Sequence, residues 1–307
     1  MLSEELPFDV IIADESLCSL IEGYKSTMTD ERLLGLANDY EDSRWREELF
    51  CDKIMDFLPL CALSAEERSK CQLSAHSSIK RAVANLRRYS EGKGRPTGEI
   101  GEILLYGIMQ YYFHSCESVP KIFYKQNSND FVKGADSVHI VADENDFSFW
   151  LGEAKCYEGL NDAIRKAVNS VKEMLDRQKL GKEKSCILGL SKLKDNKELK
   201  MHYVKIESLL SNSRSIDDFR KKLHVPVLLV CEESIVENAT ELSAELKQKL
   251  AEKYTQDARK FFLKLKESFT DVMHLCNGVK FHLILFPVPN MKELNRKFSD
   301  NISRYSS

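Results

Sequence analysis

The sequence contains no apolar run long enough to cross a bilayer as a helix. Its opening residues, MLSEELPFDVII, are acidic and lack the basic stretch that begins a secretory signal. Nine cysteines are scattered without one Cys-x-x-Cys pair, which excludes the common zinc frameworks. Together these absences fit a cytoplasmic protein whose cysteines are small buried hydrophobes rather than disulfides. The seven histidines, at 76, 114, 139, 202, 224, 274 and 282, show no metal-ligand spacing. His139 reads as a structural residue. EGKGRPTGEIG is rich in glycine but lacks the Gly-Lys-Ser/Thr ending of a phosphate-binding loop, so ATP hydrolysis is not expected. No internal repeat or low-complexity segment is present. A net charge of −3 does not announce a nucleic-acid binder.

The distribution of charge says more than its sum. Residues 1–65 carry 15 acids and 5 bases, residues 66–100 are net +4, and residues 165–184 are net +4. Two surfaces with different partners, or simply solvated helix faces, account for this pattern. A length of 307 residues suits one large domain, or one domain with an appendage. Residues 1–95 read as a helical, partly irregular N-terminal region, with an acidic face for docking or autoinhibition. Residues 96–307 read as a separate α/β domain.

That second region has a clear order. Residues 90–98 form a glycine- and proline-punctuated break, and Thr97 is placed to cap a helix. GEIGEILLYGIMQYYF follows, apolar around most of its circumference. Strand-like runs come at 121–126, 136–143 and 147–155, then an amphipathic helix at about 159–180. Further strands are expected at 184–190, 225–233 and 280–289, with a charged helical region at 239–275. The expected fold is a mixed sheet flanked by helices.

FWLGEAKCY carries the chemistry. Alternation along a strand puts Phe149, Leu151, Glu153 and Lys155 on one face. Of five Asp/Glu-x-Lys matches in the chain, only Glu153/Lys155 ends an apolar strand. A hairpin at about 143–147 brings Asp136, in KGADSVHIV, into register with Glu153. Two converging carboxylates suit Mg²⁺ or Mn²⁺, and uncompensated they are costly to bury. Such an ion polarises a phosphodiester and acidifies water, while Lys155 orients that water or stabilises the transition-state charge. Glu99 or Glu102, on the preceding helix, is a third possible ligand. Tyr157 and Glu158 stand beside the pair, and Lys166, Lys172 and Arg177 are candidate DNA-phosphate contacts on the following helix. An ordinary reading also exists for each residue, as a turn cap, a cross-strand pair or a first-turn acid.

These motifs resemble the PD-(D/E)xK nuclease superfamily, with its restriction-endonuclease-like helix–β–β–β–helix–β core. The matching pieces are GEIGE (98–102), GAD (134–136) and GEAK (152–155), although Ala135 stands where the superfamily's proline would be. The likeness to the Gly-x-x-x-Glu helix start favours Glu102 over Glu99. RPTGEIGEILLYGIM, KGADSVHI and FWLGEAKCY together look like the HamA family, nuclease subunits of the bacterial Hachiman anti-phage defence system. That resemblance implies Mg²⁺-dependent DNA cleavage and a partner helicase, HamB, of superfamily 2. The alternative is a nuclease-fold scaffold without chemistry, which binds a helicase or DNA.

Overall fold

The computed structural model describes residues 5–26, 28, 30–70, 75–90, 99–119, 135–188, 197–211 and 213–305. In chain order the elements are β1 Asp9–Ser16, α1 Leu17–Leu20, β2 Asp30–Ala37, β3 Tyr40–Glu41, β4 Arg44–Trp45, α2 Glu47–Ala62, α3 Ala65–Lys70 and α4 Ala75–Ser90. Next come α5 Glu99–Tyr111, β5 Glu117–Val119, β6 Ser137–Ala142, β7 Phe147–Tyr157, α6 Leu160–Met174, α7 Arg177–Leu188, α8 Tyr203–Leu210 and α9 Ile216–Arg220. The chain closes with β8 Leu223–Glu232, α10 Ser234–Glu237, α11 Ala244–Phe269, β9 Lys280–Val288 and α12 Met291–Arg304.

Seven strands form one mixed sheet in the order β1-β2-β9-β8-β7-β6-β5. Strands β2, β9, β8 and β7 run parallel, while β1, β6 and β5 are antiparallel additions at the two edges. The parallel strands are covered on both faces, as their near-continuous apolar runs require. VPVLLVC in β8 is buried throughout, and so is FHLILFPV in β9. Helices α2 and α5 lie over one face, and α6 and α11 over the other. On the α2 face Phe8, Phe50 and Phe286 pack together, with the Phe8 and Phe286 rings 4.9 Å apart and edge-on. Among the described residues no helix is long and apolar enough to cross a membrane. Cys18, Cys51, Cys61, Cys116, Cys156, Cys231 and Cys276 are free thiols.

The mixed sheet flanked by helices is the expected fold, but three readings need correction. Asp9–Ser16 and Asp30–Ala37 are not irregular; they supply β1 and β2. The sheet therefore runs across the boundary expected at residue 95. Their strand pattern was obscured locally. β2 opens with the charged run Asp-Glu-Arg, where buried Glu31 accepts the Tyr24 hydroxyl at 2.6 Å and the Met28 N–H at 2.8 Å. β1 is interrupted by register shifts around Asp14, which has a φ of +45°. The second correction concerns 184–190, expected as a strand. Lys184–Leu188 is the last stretch of α7, and Leu180, Glu183, Lys184 and Ile187 are buried at helical spacing. The third is smaller: the helix expected across 159–180 stops at Met174 and a new helix starts at Arg177. The strand expected at 121–126 and the Thr97 cap lie outside the described residues.

Candidate active site

The C-terminal end of β7 carries the site, and hairpin register sets its geometry. Ser137 pairs with Gly152 in the antiparallel ladder, and the Asp136 N–H donates to the Gly152 carbonyl at 2.8 Å. One more step along that register puts Asp136 beside Glu153. The Asp136 carboxylate then turns back onto the strand and accepts the Ala154 N–H at 3.1 Å.

Glu153 lies on the α6 side of the sheet and is only 4% exposed. Burial, and then the nearby Asp136 charge, push its carboxyl up to about 7 against the pull of Lys155 and of the Ser170 hydroxyl on α6. Lys155 extends past Glu153 toward solvent. Its ammonium pairs with the Glu153 carboxylate, stands 3.8 Å from Asp136 Oδ2 and donates to the Ala154 carbonyl at 3.2 Å. Burial works to lower the Lys155 pKa, but the Glu153 and Asp136 charges outweigh it and hold it above the ordinary lysine value. Lys155 is therefore a permanent cation at neutral pH, and its two carboxylate neighbours surround it.

Helix α5 supplies the wall on the other face. From Glu99 to Met109 every residue of this helix is buried except Glu102. The helix can sit this low because residue 101 is glycine. A Cβ there would meet Cys156 Sγ at 2.8 Å and Ala154 Cβ at 3.3 Å. Glu102 is carried to the strand end, while Glu99 is 7% exposed and faces inward.

A cleft of about 600 Å³ opens at this end of the sheet, lined by Glu102, Asp136, Lys155, Tyr157 and Glu158 among others. Three of the four expected catalytic side chains thus share one cavity, and Glu153, which does not line it, pairs with Lys155. Glu99 does not line it. The cleft also has a wall from α12, with Met291, Lys292 and Asn295. Sequence reading missed this wall because more than 150 residues separate it from Asp136. Only the parallel pairing of β7, β8 and β9 delivers α12 to the same end of the sheet.

The candidate DNA contacts on α6 and α7 fare differently. Lys166, Lys172 and Arg177 are exposed but do not line the cleft. Lys172 donates to the Ser268 carbonyl at 2.6 Å and so ties α6 to the end of α11. Its polar face serves helix packing there.

The histidines hold no metal cluster. Among the described residues no three His, Cys, Asp or Glu side chains are arranged to bind an ion. His139 is buried against the Tyr106 ring, and neither of its ring nitrogens has a hydrogen-bond partner among the described residues. His224 and His282 touch at 2.9 Å, and His282 meets Asp14 at 2.9 Å. This chain lies near the starts of β8 and β9, at the opposite end of the parallel strands from the cleft.

Neither a curated protein nor a solved structure matches the chain. A family model does match, that of HamA, over residues 14–302. This span runs from the end of β1 to Ile302 in α12 and takes in the other six strands and the whole Asp136–Glu153–Lys155 hairpin, and the chain belongs to the HamA family.

Proposed function

We propose that this protein is a metal-dependent deoxyribonuclease of the PD-(D/E)xK type, the effector of a Hachiman anti-phage complex acting in the cytoplasm with a HamB-type superfamily 2 helicase. The observation that carries the reading is the meeting of Asp136, Glu153 and Lys155 at one strand end, beneath an open cleft. Membership of the HamA family supports the defence role.

The donor chemistry fits Mg²⁺ or Mn²⁺. Mg²⁺ typically takes one or two carboxylates and fills its remaining positions with water and substrate oxygens. Asp136 and Glu153 would hold the ion, while Glu102 lines the cleft without forming a three-ligand set with them. When bound, such an ion polarises the phosphodiester and lowers the pKa of a water molecule. The chain's own residues set the rest. Glu153, raised to about 7, needs compensating positive charge to be a carboxylate at neutral pH. The Glu153 and Asp136 charges favour the protonated form of Lys155. Its role is electrostatic: it stabilises the added negative charge of the pentacoordinate transition state and orients the attacking water.

A second reading, a scaffold that binds a helicase without chemistry, is favoured by one observation. Both carboxylates are already engaged, Asp136 by the Ala154 N–H and Glu153 by Lys155. One experiment separates the two. Plasmid DNA is incubated with the purified chain, with and without its helicase partner, in Mg²⁺ or Mn²⁺. Glu153→Ala and Lys155→Ala are each expected to lower cleavage by at least about 100-fold, the scale of losing a main electrostatic contributor. Cleavage that survives either change overturns the nuclease reading, and phage protection that survives both favours the scaffold.

A further inference from the structure

The cleft is acidic. Its charged lining is Glu102, Asp136, Glu158 and Asp162 against Lys155 and Lys292, a net of −2. The two cations are not equivalent. Lys155 is 20% exposed and held between Glu153 and Asp136. Lys292, in the first turn of α12, is 81% exposed and pairs at 3.2 Å with Glu158, itself 60% exposed. That pair bridges the cleft mouth, from the loop after β7 to α12. An ion pair this exposed contributes little, about 0–1 kcal/mol. Exchanging its carboxylate for another oxyanion therefore costs almost nothing.

A nucleic-acid backbone brings negative charge to a cleft that already has an excess of it. Lys155 cannot leave its two carboxylates to meet a distant phosphate. Among the charged residues lining the cleft, Lys292 is the cation whose partner is a surface carboxylate.

We propose that Lys292 is a phosphate-binding residue of the cleft, which gives up Glu158 to hold the nucleic-acid backbone beside the scissile bond. Glu158 acts as its counter-ion in the empty cleft and as a competitor for substrate. This rests on the nuclease reading above. Lys292 is a substrate-positioning residue, distinct from the transition-state role assigned to Lys155.

The test uses the full chain and a short fluorescein-labelled DNA duplex. Binding is followed by anisotropy in Ca²⁺ across a salt series, and cleavage in Mg²⁺. Lys292→Gln is expected to weaken binding about threefold to tenfold and to lower the slope of log affinity against log salt by about one. The effect on cleavage falls on KM rather than kcat, and Lys292→Arg restores the slope. Glu158→Gln, which frees Lys292, is expected to tighten binding. An unchanged salt slope in Lys292→Gln, or weaker binding by Glu158→Gln, overturns the assignment. If Glu153→Ala still abolishes cleavage in that case, the nuclease reading stands without Lys292. A wild-type chain that neither binds nor cuts DNA, alone or with its helicase, overturns both.

Discussion

The Asp136 carboxylate accepts the Ala154 N–H across the hairpin, so the residue that would bind a metal ion also locks the end of the strand that carries its partner Glu153. One oxygen serves the backbone and the other is left to the cleft. Position and charge can therefore be separated experimentally. Asp136→Asn keeps an acceptor for Ala154 but removes the charge. Expected are a melting temperature within a few degrees of wild type and a loss of cleavage of at least about 100-fold. A large loss of stability would mean that the carboxylate matters mainly to the hairpin.

Asp136 is held from a second side. Glu183 on α7 is buried and accepts the Ala135 N–H at 3.0 Å, one residue before Asp136. Outer contacts of this kind commonly alter metal affinity about 10–100-fold. Glu183→Ala is expected to raise the Mg²⁺ concentration needed for half-maximal cleavage by about tenfold. Glu183→Gln, still an acceptor, should recover most of it. A change in stability without a change in Mg²⁺ dependence would reduce Glu183 to a structural contact.

Gly101 sets how closely α5 approaches β7, and so where Glu102 stands. Gly101→Val would force the helix off Ala154 and Cys156. Overpacking of this kind costs about 1–3 kcal/mol, measurable by denaturant unfolding. Cleavage should fall further than stability alone explains, because Glu102 moves with the helix. Wild-type activity in a folded Gly101→Val protein would argue against a role for Glu102.

His139 gives a pH dependence with a definite sign. Burial lowers its pKa from an ordinary 6.5 to about 3. Below pH 6.5 the unfolded chain takes up a proton that the native state refuses, so stability is full above 6.5 and is lost as pH falls toward 3. The slope from this residue is about 1.4 kcal/mol per pH unit at most. Replacing it with phenylalanine should flatten the acid limb of a stability-against-pH curve by that amount. An identical slope in His139→Phe would show that His139 is protonated in the folded state.

Local pattern made half of the site legible. Strand alternation set Glu153 and Lys155 on one face, and counting residues back from a turn put Asp136 opposite them. Both rest on period-two geometry and a short loop, which neighbouring residues fix. The near-continuous burial of α5 was also visible as a helix apolar around most of its circumference, but the pattern left Glu99 and Glu102 both open, and only the fold buries Glu99 and leaves Glu102 at the cleft. β1 and β2 were not legible, because a bulge at Asp14 and a charged strand start broke the alternation that marks a strand. Lys184–Leu188 misled for the opposite reason: a short apolar run is strand-like until its neighbours show helical spacing.

The sequence alone determined the chemistry available, namely two carboxylates and a lysine at one strand end, because these residues lie within about twenty positions of one another. Tertiary structure decided what surrounds them. Parallel pairing of β7, β8 and β9 brings α12 to the same end of the sheet and places Lys292 and Asn295 on the cleft wall. It also sends Lys172 to Ser268 instead. Pairing between distant strands depends on sheet order and on the burial of both faces, and no stretch of local sequence encodes either.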